Sequence, residues 1–342
     1  MPGSSEDRWR QRRRGKRAAW VTCTEVDGTI LARIVAATPL DAHPGLSREA
    51  FVKYDKAQAK TAWALRHRRR FALMAAGEVL ASAERYDLTA TLDRQPMIVC
   101  GIAAVLDSGA DGDGRNYGGA LVEQLLEDAT RDGADLALLF RTASSSSPLP
   151  DGFEVVPTLD CELMVTESPR HGAPITLVRG GEDRDLDAIA AMGHARADQF
   201  RFHLDRNVDL IKHTIIRKRL LAGLGATGVR QLEFVIAEEG ITAAAYIVIS
   251  VVGGTWMIEE CGDRDASGAR VGALLQALIA REPVESRPAI RGWLPPGFLP
   301  PQVTIASSPA APPLLLTRAL SSRARDLHLT AREVLYWRND LF

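Results

Sequence analysis

The sequence predicts an α+β protein that contains two tandem copies of one fold, each a mixed, mostly antiparallel sheet flanked by helices. Between residues 71 and 140 the apolar residues follow strand periods, then a helical period, then a strand period. The same order returns after residue 245, where Gly272-Ala-Leu-Leu-Gln-Ala-Leu resembles Gly119-Ala-Leu-Val-Glu-Gln-Leu. An antiparallel meander followed by one helix is an α+β pattern.

In the first copy, a helical stretch from about Ser47 to His67 precedes the strands. Glycine turns and short polar links separate its strand-like runs. Gly133 ends the next helix, and an apolar run after it indicates a buried strand. The predicted strands are Phe71–Ala75, Glu78–Ala83, Tyr86–Leu92, Met97–Leu106 and Ala134–Phe140; the helix begins at Tyr117, and Gly152-Phe153 opens the closing strands.

The second copy has a hairpin, a Gly/Asp-rich loop, a helix and a strand, with Ile290–Leu294 in the place of Leu136–Phe140. Its aromatic end, with Trp337 and Phe342, predicts a docked tail. We therefore expect three regions: a disordered basic arm over residues 1–30, the first copy over 31–168, and the second copy with its tail over 174–342.

The bulk composition is that of a soluble globular protein. The chain has 342 residues, 46% of them hydrophobic and 25% charged, with a net charge of −1. A net charge this close to zero provides no overall electrostatic attraction for nucleic acid or for an anionic membrane. The longest apolar runs are too short to span a bilayer, so we expect a cytoplasmic protein without a membrane partner. The arginine-rich residues 8–17 form either a solvated arm or a nucleic-acid attachment.

No metal site is expected. The four cysteines lie far apart and form no C-x-x-C pair. His203 and His213 are separated by a spacing that is not typical of metal ligands.

The hexapeptide Arg115-Asn116-Tyr117-Gly118-Gly119-Ala120 joins a strand to a helix. Glycines let the backbone approach a ligand and expose its N–H groups, and the positive end of the helix adds to them. Such a loop suits a pyrophosphate. Two other phosphate motifs do not match, since the chain has no G-x-x-x-x-G-K-[S/T], and Tyr117 stands where a dinucleotide fingerprint needs glycine. The residues alone leave an ordinary Gly-rich turn open.

Met97 to Phe153 resembles the core of the GCN5-related N-acetyltransferase (GNAT) superfamily. The resemblance implies an N-acetyltransferase that uses acetyl-CoA as co-substrate and acetylates a primary amine of a small molecule by direct attack in a ternary complex. The expected coenzyme contacts are Val105 and Leu106 for the pantetheine and thioester, and Arg115, Asn116, Tyr117, Gly118, Gly119 and Ala120 around the pyrophosphate.

The whole chain resembles tandem GNAT proteins, with the group related to fungal lysine N6-acetyltransferases as the expected subgroup. Mycobacterial aminoglycoside-acetylating proteins share the tandem architecture, but they carry a further domain that this length does not accommodate well. In the second copy, aligning the helices places Gly268 opposite Arg115 and Val271 opposite Gly118. We therefore expect no coenzyme there.

The family's usual general acid is missing from this sequence. Many members place a tyrosine four or five residues before the Gly-Phe turn, where this chain has Pro148 and Ser147. This departure favours, as the alternative function, a non-catalytic acyl-CoA-binding or sensing protein. A third possibility is a nucleic-acid-associated acetyltransferase that uses the basic arm.

The second copy is expected to form one wall of the acceptor pocket. Glu259 and Glu260 end the strand that in the first copy would reach the thioester, and a carboxylate can accept the proton of an ammonium. Glu259 and Glu260 either supply the base that accepts this proton or are ordinary strand residues. The carboxylate of Phe342 is a second candidate base, with simple packing as its alternative. Residues 196–219 predict either a helix with a solvated face or recognition of an acidic substrate group through Arg201 or Arg206.

Overall fold

The structure, a computed structural model, describes residues 21–40, 43, 45–107, 116–141, 151–156, 161–166, 177–307, 315–325 and 327–340. Within these residues the chain forms seven α-helices and sixteen strands in two mixed sheets. The predicted fold class, with helices flanking two mixed sheets, is confirmed. None of the described helices is both long enough and apolar enough to cross a bilayer.

The helices and strands have the following limits. The helices are α1 Gly28–Ala37, α2 Arg48–Gln58, α3 Ala62–His67, α4 Tyr117–Arg131, α5 Leu186–Ala197, α6 Val208–Leu224 and α7 Ala269–Ile279. The strands are β1 Val21–Glu25, β2 Arg68–Ala75, β3 Glu78–Leu92, β4 Gln95–Asp107, β5 Leu136–Phe140, β6 Glu154–Val155, β7 Cys161–Val165, β8 Leu177–Gly180, β9 Phe202–Leu204, β10 Arg230–Glu239, β11 Thr242–Val252, β12 Thr255–Asp263, β13 Ala289–Gly292, β14 Val303–Ser307, β15 Leu315–Ala319 and β16 Val334–Leu335.

Most predicted elements recur with shifted limits. The predicted helix Ser47–His67 is two helices, because Thr61 caps α3 and its hydroxyl accepts a hydrogen bond from Ala64 N at 3.2 Å. The strands predicted on either side of Glu84 are one continuous strand, β3. Residues 21–30, predicted to be part of a disordered arm, form β1 and the start of α1, whereas residues 1–20 lie outside the described residues.

The two sheets have the same strand order. The first runs β1-β2-β3-β4-β5-β15-β6, with β9 and β16 added beside β3, and the second runs β8-β10-β11-β12-β13-β7-β14. In each, the fourth and fifth strands are parallel and every other pair in this seven-strand order is antiparallel. The internal repeat therefore extends to the topology.

Each sheet takes its sixth strand from the other half of the chain. β7 lies within residues 31–168 in sequence but pairs between β13 and β14 of the second sheet. β15 lies within residues 174–342 but pairs between β5 and β6 of the first sheet. The predicted limits 31–168 and 174–342 therefore do not match the sheets, because strand pairing joins segments that are distant in sequence.

One cluster of buried apolar residues contains side chains from both sheets. Val99 and Leu138 of the first sheet belong to the same buried cluster as Ile258 of the second sheet and Leu274 of α7. A separate core lies between α4 and the first sheet, where Leu121 and Leu125 pack with Ile102. The shared core fixes one sheet against the other.

Helix α6 is buried between other elements. Of its 17 residues six are buried, nine are half-buried and only Arg219 and Gly223 are exposed, so its solvated face is narrower than predicted. Its cations form ion pairs instead: Lys212 Nζ lies 2.6 Å from Asp183 Oδ2, and Lys218 Nζ lies 2.7 Å from Glu259 Oε2. These charged residues were predicted to face solvent because of their residue type. In the fold, carboxylates from distant segments pair with them instead.

The strand exchange predicts that the two halves stay together after the chain is cut. A protease site inserted between residues 168 and 174 should yield two fragments that elute as one species, because β7 and β15 each remain paired inside the other fragment's sheet. Size-exclusion chromatography of the cut protein checks this, with the denatured and cut protein as the reference for separated fragments. Separate elution under native conditions would contradict the exchange.

Candidate functional site

The end of β4 separates from β5. The ladder between these parallel strands runs from Val99 and Leu136 to Ile102 and Leu139, while β4 continues to Asp107 beside β3. Beyond Ile102, the β5 side of β4 has no strand partner among the described residues. A gap between two parallel strands gives a ligand access to backbone groups that would otherwise be used in the sheet.

A bulge shapes this strand end. Ser82 pairs with Leu106 and Glu84 with Ala103, so β4 has one residue more than β3 in this interval. Ala104 lies in the bulge with φ 50°, a conformation that L residues rarely adopt, and both Ala104 and Val105 are exposed. Strained backbone of this kind concentrates at functional sites.

The start of α4 lies against the end of β4. A Cβ atom added to Gly118 would lie 3.3 Å from Val105 Cγ1 and 3.4 Å from Asp107 Cβ, so glycine allows this close approach. Asn116 caps the helix, and its Oδ1 accepts a hydrogen bond from Gly119 N at 2.7 Å. Gly118 N donates to Asp107 Oδ2 at 2.8 Å. The helix N-terminus therefore faces the exposed strand end.

The structure brings together most of the predicted coenzyme residues. The strand residues Val105 and Leu106 lie beside a helix start that comprises Asn116, Tyr117, Gly118, Gly119 and Ala120. Arg115 lies outside the described residues. Asp107, which contacts the helix start, was not among the predicted residues, because it is the first acid of an Asp/Gly-rich run that is typical of a loop. Its position directly after an apolar strand was the available signal.

A small cavity lies behind the bulge. It has a volume of about 140 Å³ and is bordered by α1, β3 and β4, with Ile34, Ser82 and Leu106 among its lining residues. The cavity therefore lies between α1 and the end of β4.

The same bulge occurs in the second copy, but a salt bridge occupies it. Val248 pairs with Glu260 and Ile249 with Ile258, so Glu259 is the extra residue of β12. Burial would raise the pKa of Glu259, but the Lys218 ammonium at 2.7 Å lowers it below the usual value. Lys218 and Glu259 thus bury the bulge of the second copy, whereas the bulge of the first copy exposes Ala104 and Val105.

The helix start of the second copy is covered. Gly268 caps α7, and Arg270 N donates to Asp263 Oδ2 at 2.9 Å, as Gly118 N does to Asp107. The predicted alignment was wrong by one residue, since Arg270 rather than Val271 corresponds to Gly118. A Cβ atom on Gly268 would lie 2.7 Å from Phe298 Cε2, so an aromatic ring packs directly on this helix start.

Glu260 lies inside a closed polar cluster. Its carboxylate is 0% exposed and accepts hydrogen bonds from Arg206 Nη1 at 2.8 Å, Arg206 Nη2 at 2.6 Å, Tyr246 Oη at 2.5 Å and Asn339 Nδ2 at 3.2 Å. Burial would raise its pKa, but Arg206 lowers it below the usual value. Its acceptor sites are used within the protein, which favours a structural role, and the role of Glu260 as a base stays a prediction.

The two arginines considered for substrate recognition are also paired. Arg206 is buried between Glu260 and Asp340. Arg201 Nε lies 2.8 Å from Asp93 Oδ1 at the surface. Neither guanidinium is arranged to recognise a substrate carboxylate.

The last described segment, residues 334–340, packs against both copies. β16 pairs with β9 of the first sheet, and the Tyr336 ring stacks on Trp293 at 4.7 Å. Asp340 Oδ1 lies 2.8 Å from Arg206 Nε, so two carboxylates share one guanidinium. Burial raises the pKa of Asp340 to about 6; Arg206 opposes the rise and the Glu260 charge adds to it. Phe342 lies outside the described residues, and its role as a base stays a prediction.

A second buried network supports the bulge of the first copy. Glu84, which pairs with Ala103 across the ladder, accepts hydrogen bonds from Arg68, Arg70 and Tyr86. Burial would raise the pKa of Glu84, but the two guanidinium groups hold it well below the usual range. This network connects β2, β3 and α2, since Asp55 also contacts Arg68.

Comparisons with known proteins agree with this architecture. No protein-family model matches the chain, and no curated protein matches it either. Solved structures do match. The fold is that of the GCN5-related N-acetyltransferases.

Three solved structures illustrate the likeness to the GNAT fold. A GCN5-related N-acetyltransferase from Anabaena variabilis has a TM-score of 0.62 at 13% identity, covering 88% of this chain and 73% of that one. Eis1 from Mycobacterium abscessus gives 0.54 at 14%, with coverages of 89% and 75%. The Saccharomyces cerevisiae N-myristoyltransferase with bound myristoyl-CoA gives 0.51 at 10%, with 93% and 86%. The predicted fungal lysine N6-acetyltransferase subgroup stays a prediction.

The Asp340 site predicts an unusual pH dependence of stability. The folded protein binds a proton at Asp340 more tightly than the unfolded chain, so this site loses stability as pH rises from about 4 through about 6. Asp340→Asn should remove that loss and raise the free energy of unfolding at pH 7.5 by on the order of 2 kcal/mol. Urea denaturation at pH 5 and 7.5 measures it.

The matched control is Asp183→Asn, which breaks the more exposed pair with Lys212 and should change stability by about 1 kcal/mol or less. An Asp340→Asn protein that is less stable than the wild type at pH 7.5 would show that the ion pair with Arg206 outweighs the burial of a second carboxylate.

Proposed function

We propose that this protein is an N-acetyltransferase that moves an acetyl group from acetyl-CoA to a primary amine of a small molecule. The observation that carries the proposal is the meeting of two features in the first copy. The exposed, bulged end of β4 lies beside the glycine-rich start of α4. One provides backbone groups for an extended arm, and the other provides a positive helix end for phosphates.

The coenzyme would lie along these two elements. Backbone N–H groups at the start of α4 and the helix dipole favour a pyrophosphate. Glycine at position 118 lets the start of the helix lie close to Val105 and Asp107 of the strand end, so that the two elements adjoin. The pantetheine arm would continue along Val105 and Leu106, on the edge of β4 that β5 leaves open. The thioester would then reach the bulge at Ala104.

The chemistry needs no covalent enzyme intermediate. The neutral amine nitrogen attacks the thioester carbonyl carbon, the carbon–sulfur bond breaks, and coenzyme A leaves as a thiolate. The nitrogen gives up one proton, and the sulfur takes up one proton. A bulge places its extra residue outside the regular ladder, so the backbone at Ala104 and Val105 is suited to bind the carbonyl oxygen as it gains negative charge.

The second copy would shape the acceptor side without binding coenzyme. Its strand end is filled by Lys218 and Glu259, and its helix start is covered by Phe298. The cavity beside Ser82 and Leu106 is large enough for the end group of a small amine. We propose lysine-like amines as the first acceptors to test.

A non-catalytic acyl-CoA-binding or sensing protein is the second candidate. It is favoured by the absence of the family's tyrosine at Pro148 and Ser147, and by the closed environment of Glu260. Binding without turnover distinguishes it from the enzyme.

Coenzyme binding should depend on Gly118. Gly118→Val places a branched side chain against Val105 and over the helix amides, and acetyl-CoA affinity should fall by about 100-fold or more. Calorimetric titration checks this. Gly193→Val is the matched control, because Gly193 is also a helix glycine and a Cβ there meets no atom within 4 Å. Normal affinity in Gly118→Val, or two equivalent sites per chain, would contradict the proposal.

Turnover should appear as coenzyme A release. The protein is incubated with acetyl-CoA and a panel of amines and amino acids, free thiol is followed with a thiol reagent, and acetylated product is identified by mass. We expect release that depends on one amine class and disappears in Gly118→Val. Tight binding of acetyl-CoA with no amine-dependent release across the panel would support the sensing function instead.

A further inference from the structure

The cavity behind the bulge has an exposed side and a buried side. Arg33 and Ala37 of α1 line it and are exposed, so they mark the side that faces solvent. Ile34 and Ser82 also line it, and they are only 3% and 2% exposed. The cavity is therefore a recess whose inner end lies at Ile34 and Ser82.

The Ser82 hydroxyl is the polar side-chain group at the inner end of the recess. It makes no hydrogen bond with any other residue in the described part of the chain. The residues that pair with Ser82 on the two neighbouring strands, Ala72 and Leu106, have apolar side chains. Buried hydroxyl groups usually have a hydrogen-bond partner. The recess therefore presents one unused hydrogen-bonding group to a ligand.

The rest of the recess favours an uncharged ligand. Apart from Ser82 and the exposed Arg33, its lining is apolar and consists of Ile34, Ala37, Val79 and Leu106. Arg33 donates to Gly77 O at 2.9 Å and to Glu78 Oε2 at 2.7 Å, so the nearby carboxylate is already paired. An ammonium group at the inner end would be buried without a counter-ion, which is costly.

The inner end of the recess lies a short distance from the bulge. Ser82 pairs with Leu106, and Ala104 lies two residues before Leu106 in β4. At about 3.3 Å per strand residue, this separation is roughly 7 Å. An extended chain of about five carbon atoms spans a similar distance. A primary amine of lysine's length can therefore place its nitrogen at the bulge and its far end at Ser82.

We propose that this recess selects the acceptor, and that the Ser82 hydroxyl binds an uncharged hydroxyl group at the far end of a short aliphatic primary amine. The inference rests on the proposed function and narrows its acceptor class. A hydroxyl both donates and accepts, so the two groups satisfy each other. An amine without such a group excludes water from the recess and leaves the Ser82 hydroxyl buried without a partner.

The test compares three amines of equal length that differ only at the far end. They are 5-amino-1-pentanol, pentylamine and 1,5-diaminopentane, and kcat/KM for coenzyme A release is measured with the wild type and with Ser82→Ala. In the wild type we expect 5-amino-1-pentanol to exceed pentylamine by about ten-fold, with 1,5-diaminopentane the poorest. In Ser82→Ala pentylamine should be at least as good as 5-amino-1-pentanol, because the wholly apolar recess no longer offers a partner.

Ser250→Ala is the matched control. Ser250 is also a buried strand serine, but it lies in the second copy and contacts Glu259. This variant should keep the wild-type order of the three amines. Ser82→Ala should be as stable as the wild type in thermal unfolding, since the hydroxyl makes no hydrogen bond with the other described residues.

Ligand-observed NMR of amine binding without acetyl-CoA separates this inference from the proposed function. If no amine releases coenzyme A, but 5-amino-1-pentanol binds more tightly than pentylamine in a manner that depends on Ser82, the proposed function fails and the recognition site in the recess stands. A wild type that treats these two amines alike in both assays overturns the inference. A preference for 5-amino-1-pentanol that persists in Ser82→Ala, or a preference for 1,5-diaminopentane, also overturns it.

Discussion

The exchange of one strand between the two sheets is the constraint on which the rest of the structure depends. β15 lies between β5 and β6 and has three buried residues, Leu315, Leu316 and Thr317. Without it, β5 would lose its partner on the side away from β4 and present unpaired backbone groups. β15 pairs with β5 along its whole length, from Leu136 to Phe140, and so supports β5 where its ladder with β4 ends. The candidate site in the first copy is therefore completed by the second half of the chain.

Helix α6 lies where the two copies meet. It packs against α2 and α3 of the first half of the chain and against β10 of the second. Burying an unpaired charge is costly, and a well-placed partner offsets much of the penalty. Lys218 of α6 has such a partner in Glu259, on the bulge of β12, and this ion pair buries the second strand end.

Local patterns predicted most of the elements, because periodicity and turn residues act over a few positions. The glycine-rich helix start was predicted for the same reason, as Asn116 to Ala120 are consecutive and lie at one helix start. Strand partners could not be predicted this way. β7 and β15 are short and largely apolar, and neither sequence indicates which sheet it joins. The buried partners of Glu260 could not be predicted either, because Arg206 and Asn339 are remote in sequence.

The two copies share a fold, a bulge and an aspartate-capped helix, yet only one has an accessible site. The difference lies in a few side chains, and fold alone does not determine function. Where the first copy has Ala104 in its bulge, the second has Glu259 in a buried ion pair. Where the first has Gly118 at its helix start, the second has Arg270, whose guanidinium covers the capping carboxylate. The side chains that bury the strand end and the helix start of the second copy therefore fill the space that a ligand would need there.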